Sequence, residues 1–242
     1  MTVKYCSYLF FIVLLLQLTA IAMNWQAVRF FTKPLLMIIL VVWFMLASPK
    51  LLPLRYCIAA ALFFSWAGDV FLLQKTNRWF MAGLTSFLLA HIMYIVFFLR
   101  VRRANLPAPP WNIYLVAGAA IYAVSLFIFL YPHTGGLKVP VGIYAAVITM
   151  MLITAAHAIP AHKQPIAAFF ITGAALFVVS DSLLAINKFY HALPAGDMAV
   201  MLSYGLAQFA ITKGSLLYLA AENKNPVQSR GRHAYERPGR NL

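Results

Sequence analysis

Apolar residues occur along this chain in long runs, each close to the length that a helix needs to cross the roughly 30 Å hydrocarbon core of a bilayer. The stretches between the runs contain the proline, glycine and polar residues that are typical of loops. The pattern predicts an all-α protein with eight transmembrane helices, since a membrane β-barrel would instead show short segments of alternating polarity. The predicted spans are about 6–23, 32–47, 54–73, 78–100, 112–131, 139–158, 166–187 and 198–220.

The composition agrees with a polytopic membrane protein. Hydrophobic residues make up 63% of the 242 residues and charged residues 10%, with a mean hydropathy of +0.82. A soluble domain is about 45–50% apolar and about 25% charged. The first run follows a lysine and ends near small residues, as a signal peptide does, but it is longer than the usual signal sequence. We therefore interpret it as a membrane span.

The net charge of +14 comes from basic residues spread over the loops that flank the apolar runs. This distribution indicates membrane topology and contact with anionic lipid headgroups rather than nucleic-acid binding. Twelve Lys and Arg residues fall on the side of the two termini and alternate loops, and six fall on the opposite side. The positive-inside rule then predicts that both termini lie in the cytoplasm.

The predicted organisation is one membrane domain over 1–221, followed by a disordered basic tail over 222–242 on the cytoplasmic side. No organelle signal is evident, so the cytoplasmic membrane of a bacterium is the expected location. Short sequence echoes suggest two four-helix halves in parallel orientation. The stretch 83–87 of the fourth span resembles 205–209 of the eighth.

Two of the five carboxylates in the chain, Asp69 and Asp181, lie inside apolar runs. A carboxylate in hydrocarbon costs at least about 2.5–3.5 kcal/mol on insertion scales, so such a residue indicates a functional site. Each aspartate lies about fifteen residues into its span, roughly 22 Å from the cytoplasmic end at about 1.5 Å per residue. Equal depth allows the two acids to face one cavity. His91 and Lys213 are expected at a different level, nearer the cytoplasmic side.

Further polar residues in the spans supply hydrogen-bonding groups. Most intramembrane Ser, Thr and Tyr residues bond to neighbouring helices, so many of these residues are expected to be structural. The candidates for orienting the acids or binding a substrate within the spans are Ser86, His91, Tyr94, Tyr144, Ser180, Tyr204 and Gln208.

Two buried acids suit acid–base chemistry. Apolar surroundings favour the neutral form of a carboxyl group and a nearby cation favours the charged form, so two acids can hold different protonation states. One then donates a proton while the other activates water or stabilises a cationic intermediate. That division suits hydrolysis through an oxocarbenium ion, as for acetals and enol ethers. From the residues alone, a proton-coupled transporter or a lipid-binding membrane protein is an equal alternative.

Two other classes of membrane hydrolase fit less well. An intramembrane aspartyl protease uses a Gly-x-Gly-Asp motif, but here Trp66 replaces the first glycine, and Ser180 rather than a tyrosine precedes the second aspartate. A zinc hydrolase needs several clustered His ligands, and His91 is alone in mid-membrane. Cys6 and Cys57 lack metal-ligand spacing. We therefore expect no metal and no other cofactor.

Several short motifs carry a family resemblance, in order along nearly the whole chain before the tail. They are Lys33-Pro34-Leu35, Gly68-Asp69-Val70-Phe71-Leu72-Leu73, Phe80-x-x-Gly83-Leu84-x-Ser86-Phe87-x-x-Ala90-His91-x-x-Tyr94, the Tyr144 segment, Phe177-x-x-Ser180-Asp181-Ser182-Leu183-Leu184-Ala185, and Tyr204-x-x-x-Gln208. Together they resemble the YhhN-like lysoplasmalogenase family of multi-spanning membrane proteins. The resemblance implies an eight-helix enzyme that hydrolyses the vinyl ether bond of lysoplasmalogens. Its products would be a fatty aldehyde and glycerophosphoethanolamine or glycerophosphocholine.

The resemblance also implies roles for particular residues. Its Gly-Asp and Ser-Asp motifs map the paired catalytic acids of the family onto Asp69 and Asp181. In our interpretation one aspartate protonates the vinyl ether and the other activates water or stabilises the cation, and the sequence leaves the order open. Lys33, Lys75 and Arg78, predicted on the outer side, are expected to bind the phosphate of a lysophospholipid substrate. With the resemblance, the enzyme is favoured over the transporter.

Overall fold

The computed structural model describes residues 3–50, 52–74, 76–160 and 162–224, and within these ranges it contains helices and no strands. The predicted all-α class is confirmed. Lys75 and the tail from residue 225 onward lie outside the described residues. The eight α-helices are α1 Val3–Ala22, α2 Gln26–Ala47, α3 Arg55–Phe71, α4 Asn77–Ala104, α5 Ile113–Leu130, α6 Lys138–Ala156, α7 Ile166–Phe189 and α8 Gly196–Lys224, with 3-10 turns at Tyr131–His133 and Gly135–Leu137.

Side-chain caps determine where two of the helices begin. Thr76 caps α4 by accepting a hydrogen bond from the backbone N–H of Trp79 over 3.5 Å. Asn112 caps α5 by accepting from the N–H groups of Tyr114 and Leu115 at 3.0 and 3.3 Å. These side chains satisfy N–H groups that have no partner within the helix.

α2 begins well before the predicted boundary at residue 32. It starts at Gln26 and continues through Pro34. Proline is tolerated in membrane helices because neighbouring groups satisfy the freed backbone carbonyl. Because Arg29 and Lys33 are four residues apart, the additional turns place them on one face of the helix. Both cations are therefore part of a helix rather than of a loop.

Six helices, α1, α2, α4, α5, α6 and α7, are long and apolar enough to cross a bilayer. They identify an integral membrane protein. α3 has 17 residues, the lower limit for a span, while α8 has 29 but carries the polar side chains of Tyr204, Gln208 and Lys213. That α3 and α8 also cross the membrane, and that both termini are cytoplasmic, stay predictions.

Helices that follow one another in the chain pack together, with α7 on α8, α3 on α4 and α1 on α2. α8 also contacts α1, α2 and α3, whereas α5 is peripheral and buries only Leu130 among its residues. Close packing of α7 on α8 depends on Gly173, where an added Cβ would lie 3.0 Å from the backbone nitrogen of Ile211. The duplication into two four-helix halves remains a prediction.

Candidate functional site

A cleft of about 550 Å³ opens at one end of the helix bundle. α1 and α7 contribute their C-terminal turns to it, α2, α4 and α8 contribute their N-terminal turns, and residues 72–74 contribute from the segment that follows α3. Because helix ends in a membrane bundle lie near the lipid headgroups, the cleft is placed where polar side chains are tolerated. Its polar lining includes Gln17, Gln26, Arg29, Lys33, Lys188 and Asp197.

Asp69 lies in the last turn of α3, next to this cleft, and only 1% of its surface is exposed. The hydroxyl of Tyr204 on α8 donates a hydrogen bond to Asp69 Oδ2 over 2.7 Å. The ammonium group of Lys33 on α2 lies 3.7 Å from Oδ1. A buried carboxylate is tolerated when it is hydrogen-bonded and paired with a cation, and three helices meet here to provide both.

A second layer of polar groups lies one turn further from the cleft. The Tyr94 hydroxyl on α4 donates to Gln208 Oε1 at 2.6 Å, and Gln208 Nε2 donates to Ser65 Oγ on α3 at 2.8 Å. A spacing of four residues places Gln208 next to Tyr204 on α8, and Ser65 next to Asp69 on α3. The side chains of this layer are buried. The layer joins α3, α4 and α8 and thereby holds the first layer in place.

Asp181, in the second half of α7, has separate partners. The Tyr144 hydroxyl on α6 donates to Asp181 Oδ2 at 2.6 Å, and His91 Nε2 on α4 lies 3.2 Å from the same oxygen. Because the hydroxyl proton of Tyr144 is directed at the carboxylate, we assign the imidazole proton to Nε2. His91 is fully buried, and its Nδ1 has no hydrogen-bond partner among the described residues. The Asp181 side chain is 12% exposed, so it is the more accessible of the two acids.

Aromatic rings separate the two acids. The ring of Phe177 lies 4.6 Å from the His91 ring and 5.5 Å from the Tyr204 ring, measured between centroids. Phe87 packs edge-on against Tyr204 at 5.7 Å. Within the ranges that the structure describes, no hydrogen bond or ion pair joins the aspartates directly. The acids thus belong to two networks that meet through these rings.

The cleft shares part of its lining with a cavity beside Asp181. Leu72, Phe80 and Leu184 line both the cleft and a smaller cavity of about 40 Å³, which Asp181 and Tyr144 also line. Leu72 and Leu184 each follow one of the acids by three residues, so each lies on the same side of its helix as that acid. The two leucines therefore form a shared wall between the cleft beside Asp69 and the cavity lined by Asp181.

A third cavity, of about 60 Å³, lies between α5, α6 and α7. It shares Val141, Tyr144 and Asp181 with the smaller cavity, and the rest of its lining is mainly apolar. The peripheral helix α5 forms one wall of this apolar groove. The cationic cleft, the smaller cavity and the apolar groove therefore share walls in that order, and Asp181 lines the last two.

Two predicted site residues bond to neighbouring helices. Ser86 Oγ donates to the carbonyl of Phe64 at 2.8 Å, and Ser180 Oγ donates to the carbonyl of Val200 at 3.1 Å. These bonds join α4 to α3 and α7 to α8, so they link the helices of the two acids to the helices of His91 and Tyr204. Arg78, predicted to bind phosphate, is exposed at the start of α4.

The expectation that His91 lies at a different depth from the aspartates is wrong, because it contacts Asp181 at 3.2 Å. Residue counting assumes that helices stand upright and end in one plane. Membrane helices tilt, and α4 has 28 residues where α7 has 24. Lys213 lies 5.8 Å from the centre of the Trp43 ring.

The sequence did not identify Arg29, Lys188 and Asp197 as site residues, yet all three line the cleft. Arg29 Nη2 donates to Asp197 Oδ2 over 3.0 Å. One signal was available, because Arg29 precedes Lys33 by four residues, the spacing of neighbours on a helix face. A predicted span that starts at residue 32 concealed this spacing by leaving Arg29 in a loop.

The side chains around the acids are suited to holding and transferring protons. They comprise two carboxyl groups, an imidazole and tyrosine hydroxyls. Within the described ranges, no three His, Cys, Asp or Glu side chains are grouped closely enough to hold a metal ion. Between a cationic cleft and an apolar groove, this arrangement suits an amphiphilic molecule with a charged head.

Relatives of known name match most of the chain. It is 30% identical over 163 residues to the lysoplasmalogenases of Mycobacterium bovis and Mycobacterium tuberculosis, and the match covers 66% of this chain. The chain spans 60% of the length of these mycobacterial relatives. It is also 30% identical over 181 residues to lysoplasmalogenase TMEM86A of Bos taurus, covering 71% of this chain and 68% of the relative. No solved structure matches the chain.

The sequence profile of the YhhN family matches residues 28–215. This range contains Lys33, Asp69, Asp181 and the second polar layer around Gln208. The match covers most of the chain and confirms the resemblance drawn from the sequence motifs. We conclude that the chain belongs to the YhhN family.

Proposed function

We propose that this protein is a membrane-embedded lysoplasmalogenase, which hydrolyses the vinyl ether bond of lysoplasmalogens to a fatty aldehyde and glycerophosphoethanolamine or glycerophosphocholine. One observation carries the proposal. Two aspartates, each hydrogen-bonded by a tyrosine, lie beside a row of cavities that share walls, from a cationic cleft to an apolar groove. A lysoplasmalogen has the matching order of parts: a phosphate head, a vinyl ether and a long hydrocarbon chain. Relatives named lysoplasmalogenase support the same activity.

The reaction needs one proton donor and one proton acceptor. A proton adds to the alkene carbon remote from the ether oxygen, and the adjacent carbon becomes an oxocarbenium ion. Water attacks this cation and loses a proton to a base, which gives a hemiacetal. The hemiacetal hydroxyl then gives up its proton, the bond from the hemiacetal carbon to the glycerol oxygen breaks, and the glycerol oxygen takes up a proton as the aldehyde is released.

Asp181 is the better placed proton donor. It lines both the small cavity and the apolar groove. Tyr144 and His91 contact its Oδ2, which leaves Oδ1 to deliver a proton to the vinyl ether. The Nε2–H of His91 contacts the same carboxyl group, so His91 can return this proton to Asp181 between turnovers when its Nδ1 takes up a proton from water.

Asp69 is the better placed anion. The Lys33 ammonium group compensates a negative charge there, and the Tyr204 hydroxyl donates to the carboxylate. Such a preorganised anion stabilises the oxocarbenium ion and accepts a proton from the attacking water. Gln208 and Tyr94 hold the helices that position Tyr204.

We further propose that α3 and α8 cross the bilayer with the six apolar helices, which gives eight spans with both termini in the cytoplasm. The cleft then faces away from the cytoplasm, and the basic loops and tail contact anionic lipid in a bacterial cytoplasmic membrane. Single cysteines at Pro109 and Gly136, in a cysteine-free background, test this orientation with a membrane-impermeant thiol reagent on intact cells. Only the cysteine at position 136 should react. Labelling of position 109 alone would reverse the topology.

The activity is tested by release of fatty aldehyde from lysoplasmalogen with the purified full chain in detergent. Asp69→Asn and Asp181→Asn should each lower the rate by about 10²–10⁴-fold, the usual contribution of a general acid or base. Size-exclusion elution and far-UV circular dichroism show whether each variant is folded. Glu222→Gln is the matched control, because it changes an acid near the other end of α8 from the cleft.

Near-wild-type turnover by both aspartate variants would refute the two-acid mechanism. Accumulation of an intact lipid or of protons in vesicles, without aldehyde release by the wild type, would instead support the transporter alternative.

A further inference from the structure

We propose that the cleft at the end of the bundle is a phosphoethanolamine subsite, in which Arg29 and Lys33 bind the phosphate and Asp197 binds the primary ammonium group. This inference rests on the proposed function and adds headgroup selectivity to it. It also assigns two residues, Arg29 and Asp197, for which the cleavage chemistry has no use.

The charges of the cleft suit a zwitterionic headgroup. Three cations, Arg29, Lys33 and Lys188, and one acid, Asp197, line it. Lys188 Nζ already donates to the Asn77 side-chain oxygen at 3.2 Å. Arg29 and Lys33 share one face of α2; they pair with Asp197 and Asp69, and their remaining N–H groups can bind a phosphate, which a guanidinium can contact through two parallel N–H groups.

The charges are also arranged in the order of the substrate's own groups. Side-chain exposure rises from 1% at Asp69 through 20% at Lys33 and 25% at Arg29 to 64% at Asp197. Moving outward from its scissile bond, an ethanolamine lysoplasmalogen presents glycerol, then phosphate, then ammonium. A lipid with its vinyl ether near Asp69 therefore meets the two cations with its phosphate and the outer acid with its amine.

The free oxygen of Asp197 distinguishes ethanolamine from choline. Its Oδ2 accepts a hydrogen bond from Arg29 at 3.0 Å, whereas its Oδ1 accepts none from the described part of the chain. A primary ammonium has three N–H donors and can bond to Oδ1. A trimethylammonium group has no donor, and its methyl groups keep the charge farther from the carboxylate. The subsite should therefore favour ethanolamine.

Binding of uncleavable ligands tests this selectivity separately from catalysis. The probes are 1-O-alkyl-glycerophosphoethanolamine and its choline counterpart, titrated calorimetrically into the purified full chain in detergent. We expect the wild type to bind the ethanolamine lipid about fivefold more tightly, the size of a partly exposed charged hydrogen bond. Asp197→Asn should abolish the preference by weakening ethanolamine binding alone. Arg29→Gln should weaken the binding of both lipids by a similar factor, because both carry the phosphate.

Lys138→Gln is the matched control, since it removes a cation near the same end of the bundle, where Lys138 lies over the Tyr131 ring at 4.3 Å. It should leave both affinities unchanged. The proposed subsite would be refuted if the wild type bound the two lipids equally, or if Asp197→Asn weakened the binding of both lipids equally. Aldehyde release is measured in parallel. Selective binding without aldehyde release would refute the proposed function and leave the subsite standing. Aldehyde release without selective binding would support the proposed function and refute the subsite.

Discussion

Replacing Gly68 with alanine tests whether the close approach of α3 and α4 holds the Asp69 network in place. Gly68 directly precedes Asp69, and a Cβ added there would lie 2.6 Å from Phe87 Cε2, 2.7 Å from Cδ2 and 3.0 Å from Cζ. Carbon atoms in contact normally lie about 3.5–4.0 Å apart. The Phe87 ring or the end of α3 must therefore move by roughly 1 Å, the difference between these distances.

Movement of Phe87 reaches Asp69 through Tyr204. The two rings pack edge-on at 5.7 Å, and Tyr204 donates the 2.7 Å hydrogen bond to Asp69. A hydrogen bond to a charged group contributes about 1.5–3 kcal/mol, so its loss should lower turnover by about 10- to 150-fold. The free energy of unfolding should change by less than the energy of this hydrogen bond. Overpacking costs about 1–3 kcal/mol, but replacing a helical glycine recovers about 1 kcal/mol of that cost.

Two other glycines are matched controls. At Gly83 the added Cβ would lie 2.8 Å from Leu72 Cδ2, the flexible end of a side chain, and at Gly118 nothing lies within 4 Å. Aldehyde release should be unchanged in Gly118→Ala, intermediate in Gly83→Ala and slowest in Gly68→Ala, with thermal unfolding in detergent followed alongside. If Gly68→Ala turned over as fast as Gly118→Ala, transmission through Phe87 would be refuted.

The two hydrogen-bonded layers and the chemistry can be probed further. Tyr204→Phe removes the donor to Asp69 and keeps the ring contacts, so kcat should fall about 10-fold or more with only a small change in Tm; unchanged kcat would contradict the role of the hydroxyl. Gln208→Leu removes the acceptor of the Tyr94 hydroxyl and the donor to Ser65 and should lower the free energy of unfolding by about 1–3 kcal/mol, measured by denaturant titration in detergent; wild-type stability would show that the layer is dispensable. A metal chelator should leave aldehyde release unchanged, and activity that is lost and then restored by a divalent ion would contradict proton transfer by side chains alone.

The number of helices follows from local sequence, whereas their ends do not. Proline- and glycine-containing breakers separate the apolar runs, and the described residues contain the eight α-helices that this pattern predicts. Hydropathy marks the part of a helix that lies in hydrocarbon. α2 extends beyond that part to Gln26, because Arg29 is tolerated near the headgroups. The boundary error matters, since it separated Arg29 from Lys33 and concealed the cationic face of the cleft.

The partners of the two acids depend on packing between distant helices. A spacing of four identifies Tyr204 and Gln208 as neighbours on one face of α8. It does not specify that this face meets Asp69 on α3, which depends on how closely α3, α4 and α8 approach one another. The contact of His91 with Asp181 is of the same kind, because it depends on helix tilt that residue counting ignores.

The two acids differ in the hydrogen-bonding capacity that remains around them, and this difference supports the division of roles. Asp69 has a donor on Oδ2 and a cation beside Oδ1. Both contacts of Asp181 fall on Oδ2, and among the described residues nothing donates to its Oδ1 or bonds to Nδ1 of the buried His91. A buried polar atom without a hydrogen-bond partner costs free energy, so such atoms persist where water or a ligand supplies the partner. In the proposed mechanism, the contacts around Asp69 therefore hold the anion that accepts a proton from water, and the Oδ1 of Asp181 delivers a proton to the bound lipid.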